Sequence, residues 1–316
     1  MFLSIIIPTR NRASHLETAL FSLKGQTYGV ESFEVLVIDN GSTDSTHEVC
    51  ETCRSFLPNL QYLHEPRPGL HVGRHLGMKR ARADTLVYAD DDIEAFPTWL
   101  EGIAEAFCDE QVALVGGKNL PKFQLEPPVW IRGMWEKDRK GGRMLPYLSI
   151  IDLGDEIKGI SPYYVFGCNF SIRKSVLLEA GGFHPDAMPN DLIRYRGDGE
   201  THVAQYIIEH DYKAVYHPET SVHHLIPMDR LNEPYFFKRA FSQGISDSYT
   251  YIRSKKSISL WKLRYFKLMH RLLLILPFIR KARIQIGYLE GYCYHQEKVR
   301  NDPGLYAWVM RETYLV

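Results

Sequence analysis

The chain has 316 residues, 45% hydrophobic and 24% charged, which supplies a large core and excludes intrinsic disorder as the main state. The composition also excludes collagen, coiled-coil and repeat architectures and suits one large α/β domain or two smaller ones. Its 38 basic and 38 acidic side chains cancel, but residues 253–283 hold ten Lys/Arg and no Asp or Glu, so the rest of the chain is acidic. That balance argues against nucleic acid as a partner and for one end that meets an anionic surface, membrane lipid first.

The N-terminal run to Thr9 is short and apolar, without a basic leader or a small-residue cleavage site, and reads as a first strand rather than a secretory signal. Short apolar runs at 3–8, 33–38, 60–64, 85–89 and 112–116 alternate with helical patterns, the mark of βα units and a mainly parallel buried sheet. The first helix is predicted from a capping box, Ser14 with Glu17, an apolar face of Leu16, Ala19, Leu20 and Leu23, and a stop at Gly25. A second box, Ser45 with Glu48, is expected to open the next helix. That helix holds Cys50 and Cys53; with no second Cys/His pair at zinc spacing, they and the other three cysteines read as free thiols of a reducing compartment.

After Lys118 a Pro- and Gly-rich stretch to Pro162 is too long for an ordinary connection and reads either as carrying function, an active-site lid, or as small elements of its own. A β-like run at 163–172 follows, then helices near 174–180 and 200–210, strands at 214–217 and 221–225, and a helical last ninety residues. No apolar stretch is long enough to span a membrane, the longest, 272–279, being interrupted by Pro277. Within 261–276, Trp261, Tyr265, Leu268, Met269, Leu272, Leu273 and Leu276 share one helical face with the bases largely opposite. This amphipathic basic helix either lies on an anionic membrane or packs on the protein.

Chemistry concentrates at strand ends. Asp90, Asp91 and Asp92 close an apolar strand, and three adjacent carboxylates need a cation or donors to hold them. Strand alternation is expected to send Asp90 and Asp92 to one side and Asp91 away. Asp39 ends another strand before Asn40-Gly41-Ser42, and the first strand runs into Pro8-Thr9-Arg10-Asn11-Arg12. In open α/β sheets such ends border the ligand crevice. No G-x-G-x-x-G follows a strand, which disfavours a dinucleotide fold, and no glycine-rich loop follows the first strand to grip a triphosphate.

In order and spacing, Ser4 to Arg12, Val37 to Asp44, Ala89 to Ile93, Phe166 to Phe170 with Gly181-Gly182-Phe183, and Gly197-Asp198-Gly199-Glu200 resemble the inverting, nucleotide-sugar-dependent glycosyltransferases of family 2. The resemblance covers about residues 1 to 225 and implies a GT-A fold, Rossmann-like, with a mainly parallel sheet flanked by helices and a helical C-terminal extension. It implies a catalytic domain over 1–230, its nucleotide-binding half 1–118 and acceptor-binding half 119–230, followed by a helical region 231–316.

The family likeness places Pro8, Thr9, Asn11 and Asp39 on the base and ribose of a nucleotide, usually uridine. Asp90, Asp91 and Arg67 join them at the donor, and Asp92 and His224 hold Mn²⁺ or Mg²⁺. Glu200 aligns with the catalytic base, with Asp198 in reserve because the chain departs there from the usual Glu-Asp pair. Asn169 borders donor sugar and acceptor, and Trp130 and Trp135 either stack on acceptor sugars or anchor their segment. The implied partners are a nucleotide-sugar donor, a glycan or lipid-linked acceptor and an anionic membrane surface met by 253–283, with the protein cytoplasmic or peripheral on the inner membrane face.

Overall fold

A computed structural model describes residues 1–137, 141–257, 260–275 and 279–315. The first part runs β1 (Leu3–Thr9), α1 (Ala13–Leu23), β2 (Phe33–Asp39), α2 (Thr46–Cys53), β3 (Leu60–His64), α3 (Leu70–Arg80), β4 (Thr85–Ala89), β5 (Ile93–Ala95), α4 (Trp99–Ala106) and β6 (Val112–Gly116). Next come β7 (Asn119–Phe123), α5 (Val129–Trp135), β8 (Arg143–Leu145), β9 (Ile150–Asp152), β10 (Lys158–Gly159), β11 (Asn169–Arg173), α6 (Lys174–Glu179), α7 (Thr201–Glu209), β12 (Lys213–Tyr216) and β13 (Val222–Ile226). The chain closes with α8 (Glu233–Lys255), α9 (Leu260–Leu274), α10 (Arg280–Asn301) and α11 (Pro303–Val309).

The main sheet has the order β10, β12, β6, β11, β4, β1, β2, β3. Strands β4, β1, β2 and β3 are parallel, whereas β11 lies antiparallel between β4 and β6. Its strands β1, β2, β4 and β6 are buried on both faces, which is why they read as continuous apolar runs. Alternation still sorts the side chains. Ile5, Ile7, Val35, Val37 and Val87 pack with α1 and α4 through Leu16, Leu20, Trp99 and Ile103. Ile6, Leu36, Leu86 and Tyr88 face Met78 of α3, Leu177 of α6 and Val203 and Ile207 of α7 on the other side.

Neither predicted capping box forms. Helix α1 starts at Ala13 and α2 at Thr46, and no side chain at the N-cap position bonds either helix. One carboxylate serves both instead: Asp44 Oδ2 accepts from the Ala13 N–H (3.1 Å) and Oδ1 from the Thr46 N–H (3.2 Å) and hydroxyl (2.5 Å). The start of α1 is thus capped from 31 residues away, whereas α2 is capped by the residue two before its first.

The stretch after Lys118 is not an irregular lid. It builds a second sheet, ordered β5, β13, β7, β9, β8, above a small core of Ile131, Trp135, Leu145, Leu148, Ile150 and Ile226. The β-like run at 163–172 is also corrected: a 3₁₀ turn occupies Pro162–Tyr164 and the strand begins only at Asn169. All five cysteines are free, with Cys50 and Cys53 buried in the α1/α2 core.

Four buried histidines are held below the ordinary imidazole range of 6.5, chiefly by burial: His71, His184 and His295 to about 4 and His75 to about 3. The unfolded chain takes up protons from about pH 6.5 downward that the folded chain refuses until near pH 4. Stability is therefore expected to fall as pH drops through that window, by on the order of several kcal/mol in all. Thermal melts at pH 7.5 and pH 5 test this; an equal or higher midpoint at pH 5 contradicts it.

Candidate active site

The carboxyl end of β4 opens onto a cleft of about 580 Å³. Asp90, His224, Asp198 and Glu200 line it, together with Arg74, Arg196, Arg230 and Arg239 and with Tyr163, Tyr164 and Tyr235. Backbone pairing sets the opposite walls. Strand β13 lies antiparallel to β5, just after the Asp run, so His224 falls opposite Ile93, and the Leu225 N–H bonds the Asp92 carbonyl (2.9 Å).

The three aspartates have different surroundings. Asp92 is buried; its Oδ2 is held by Arg12 (2.8 Å) and Arg230 (3.0 Å), while its Oδ1 accepts no hydrogen bond and stands 3.3 Å from His224 Nε2. His224 Nδ1 donates to the Leu148 carbonyl (2.9 Å), which leaves Nε2 as the lone-pair nitrogen. Adjacent ligands about 2.1 Å from an octahedral ion are about 3 Å apart, so this orphaned oxygen and nitrogen already have the spacing of a divalent-metal pair. Among the described residues no three His, Cys, Asp or Glu converge to hold a metal alone. Phosphate oxygens and water would complete such a shell, as is usual for Mg²⁺.

Burial works against ionisation of Asp92, but the His224 ring in its protonated form and the guanidiniums of Arg12 and Arg230 overcome it and hold the carboxyl far below its usual range. Strand alternation does not carry past Ala89: Asp91 and Asp92 lie in a turn and share the Arg12 guanidinium (2.5 and 2.8 Å), while Asp91 also accepts from Thr9 (2.7 Å) and burial pushes it up to about 7. It braces β1 and the start of α1 and does not line the cleft. Asp90 stays half-buried in the cleft, 3.7 Å from Arg74.

Glu200 sits just before α7, its Oε1 held at 2.5 Å by the buried Arg74, which also donates to the Gly167 carbonyl (3.2 Å). No other hydrogen bond engages the Glu200 carboxylate among the described residues. A Cβ at 167 would fall 1.9 Å from Glu200 Oε1 and 2.6 Å from Arg74 Nη2, so a larger residue there would displace this pair. Asp198, by contrast, is saturated: Oδ1 meets His184 Nδ1 and Oδ2 accepts from Thr250 of α8, each at 2.6 Å. Gly199 between them has φ +54°, a left-handed conformation suited to glycine.

Several residues singled out in sequence bind the protein to itself. Asp39 accepts from the Ser42 N–H (2.7 Å) and the Tyr62 hydroxyl (2.6 Å), and Asn11, at φ +53°, accepts from the Thr43 N–H (2.7 Å). They shape the β1 and β2 loops beside buried Pro8 and Thr9. Arg67 pairs with Glu65 (2.7 Å) and is exposed.

Asn169 does not border the cleft. It is buried, accepts from Trp99 Nε1 (3.0 Å) and donates to Asn119 (3.1 Å) and the Thr220 carbonyl (2.8 Å), tying the two sheets together. Asn169→Ala is expected to cost about 2–4 kcal/mol, since it strands buried polar groups; urea unfolding measures it, and a change below about 1 kcal/mol contradicts the network's role. Trp130 and Trp135 are likewise outside the cleft: Trp130 packs on Phe236 (4.8 Å between centroids), and Trp135 is buried under Arg143.

Sequence reasoning missed the arginines. Arg74 holds Glu200, and Arg12 and Arg230 hold Asp92; of the three only Arg12 falls within a motif, at the end of the Ser4–Arg12 run. The interruption of helix α3 by a lone charge among buried positions is the signal that could have flagged Arg74.

The profile of glycosyl transferase family 2 matches residues 4–179. Glycosyltransferase AglE of Haloferax volcanii is 34% identical over 117 residues, 37% of this chain and 38% of that protein. The pre-mycofactocin glycosyltransferase of Mycobacterium tuberculosis is 28% identical over 188 residues, 57% of this chain and 35% of the relative. The matched segments thus span little more than a third of these curated relatives. Among solved structures, the mannosyltransferase PcManGT of Pyrobaculum calidifontis, in complex with GDP-Man and Mn²⁺, superposes with a TM-score of 0.60 at 17% identity, covering 93% of this chain and 86% of that one. S. aureus TarS 1–349 in complex with UDP-GlcNAc gives a TM-score of 0.50 at 16% identity, over 95% and 92%. The architecture is the GT-A fold with a helical C-terminal region, and with more than half its length matching the family profile, the chain belongs to glycosyl transferase family 2.

Proposed function

We propose that this chain is a metal-dependent inverting glycosyltransferase that moves a sugar from a nucleoside diphosphate donor to a hydroxyl of a glycan or lipid-linked acceptor. The observation that carries the reading is that His224 and Glu200 line one cleft, with the buried Asp92 carboxylate 3.3 Å from His224 Nε2. Catalysis is assigned to 1–230, with the nucleotide on 1–118 and the acceptor on 119–230; the helical region 231–316 adds Tyr235, Arg239, Gln243 and Ser246 of α8 to the cleft wall. The enzyme works from the cytoplasmic face of a membrane, at its surface.

Asp92 and His224 would hold Mn²⁺ or Mg²⁺, which neutralises the charge that develops on a leaving diphosphate. Glu200 takes the proton of the attacking acceptor hydroxyl, and such transfer is worth about 10²- to 10⁴-fold in rate. Inversion needs that base on the sugar face opposite the leaving group. Arg74 fixes the rotamer of Glu200 through Oε1, and Gly167 leaves the room for that pair. Asp198 holds the loop of the base against α8 through His184 and Thr250.

Calorimetry with UDP, GDP and dTDP, each with and without Mn²⁺, tests the reading. Binding of one of them, strengthened at least about tenfold by the ion, is the expected result; uridine is the base the sequence motifs favour. Absence of binding to all three, with the ion present, contradicts it.

A further inference from the structure

Helix α9 has two apolar faces. One closes on the protein: Leu263 is buried and the Phe266 ring lies tilted against Tyr292 of α10, 4.6 Å between centroids. The other is open. Trp261 is 77% exposed, Leu268 55%, Leu272 48% and Ile275 74%, with Tyr265 in line at 46%. Their spacing alternates four and three residues, so they form one stripe along the helix. The sequence pattern put Met269 and Leu273 on the same face; both instead turn partly inward. Leu276 and Pro277 lie outside the described residues.

The bases are beside this stripe, not opposite it. At about 100° per residue, Arg264, Lys267 and Arg271 sit roughly a quarter turn round the helix, and all three are exposed. Lys267 pairs with Glu297, whereas Arg264 and Arg271 make no ion pair among the described residues. Exposed Lys255, Lys256 and Lys281 extend the field, and 253–283 contains no acid to compensate it. Five large apolar side chains in one row differ from the scattered singles of an ordinary surface.

We propose that this face of α9 docks the chain flat on an anionic lipid bilayer, with the Trp261–Ile275 stripe in the acyl boundary and Arg264 and Arg271 at the phosphate level. The proposal deepens the reading of a lipid-linked acceptor, resting on it for the purpose of docking and on α9 alone for the contact. Lipid is favoured over a second copy because residues 253–283 bring ten bases and no acid of their own, and Glu290 and Glu297 of α10 beside α9 are already paired with His270 and Lys267. Among the described residues no helix is long and apolar enough to cross a membrane, so the contact is interfacial.

Flotation of the full chain with phosphatidylcholine vesicles, pure or carrying about a third phosphatidylglycerol, tests it. Binding is expected only to the anionic vesicles and to weaken with salt. Arg264→Gln with Arg271→Gln should lower the partition roughly 20- to 30-fold, and Trp261→Ser with Leu268→Ser and Leu272→Ser about tenfold or more. Circular-dichroism melts and UDP/GDP calorimetry on both variants check that the fold and the donor site are intact. Equal binding to both vesicles, or variants that bind like wild type, overturns the proposal. So does a wild-type dimer in light scattering that the serine variant dissociates without any vesicle binding, which would assign the face to a second copy. Absence of UDP and GDP binding in the wild-type chain, with its binding to anionic vesicles intact and lost in the variants, would instead strike the catalytic reading and leave the docking face standing.

Discussion

Glu200→Gln is expected to lower the rate of sugar transfer by about 10²- to 10⁴-fold while nucleotide affinity changes by less than about twofold. The amide keeps the shape of the side chain and can still accept from Arg74 through its oxygen, so the cleft should survive. What it loses is the ability to take a proton. Single-turnover transfer beside calorimetry separates the two effects. Asp198→Asn serves as the comparison, because both oxygens of that carboxylate are already engaged by His184 and Thr250. It should act through the loop and α8, lowering the melting temperature along with the rate. If Asp198→Asn instead stops transfer with an unchanged melt and Glu200→Gln does not, the base is Asp198.

Asp92→Ala is expected to remove the dependence of nucleotide binding on Mn²⁺ altogether. The carboxylate holds two guanidiniums, from Arg12 and Arg230, in a buried place, so alanine also leaves cations without their partner. Asp92→Asn is therefore the second variant: it keeps an oxygen for the arginines but weakens the ligand for a hard cation. Both should bind the nucleotide diphosphate as weakly with the ion as wild type does without it. His224→Ala should lower the apparent Mn²⁺ affinity by about 10- to 100-fold, the usual penalty for a lost or misaligned ligand set. Unchanged Mn²⁺-dependent affinity in Asp92→Asn and Asp92→Ala would remove the metal from these residues.

The Asp92–His224 pair shows how much of such a site is legible in a sequence and where legibility stops. The Asp run stood out because three adjacent carboxylates cannot be indifferent to their surroundings. His224 could be placed at a late strand, but its nearness to Asp92 depends on β13 pairing with β5 across more than a hundred residues. Asn169 failed in the opposite way: its motif pointed to the cleft, yet the register of β11 against β4 turns it into the join between the two sheets. The capping boxes failed because Asp44, two residues before α2, satisfies that helix start and reaches across to the start of α1 as well.

What the sequence by itself determined is the periodic part: the buried strands at the centre of the main sheet, the helices between them and the acidic strand ends. Apolar runs and the 3.6-residue period are local, and burial of both sheet faces leaves them little choice. Only the tertiary structure decided the second sheet in the stretch after Lys118, the arginine that holds Glu200, the saturation of Asp198, and which face of α9 is left open. Each of these depends on partners distant in sequence, whose hydrogen bonds and packing compete with local preference and, once the chain is closed, outweigh it.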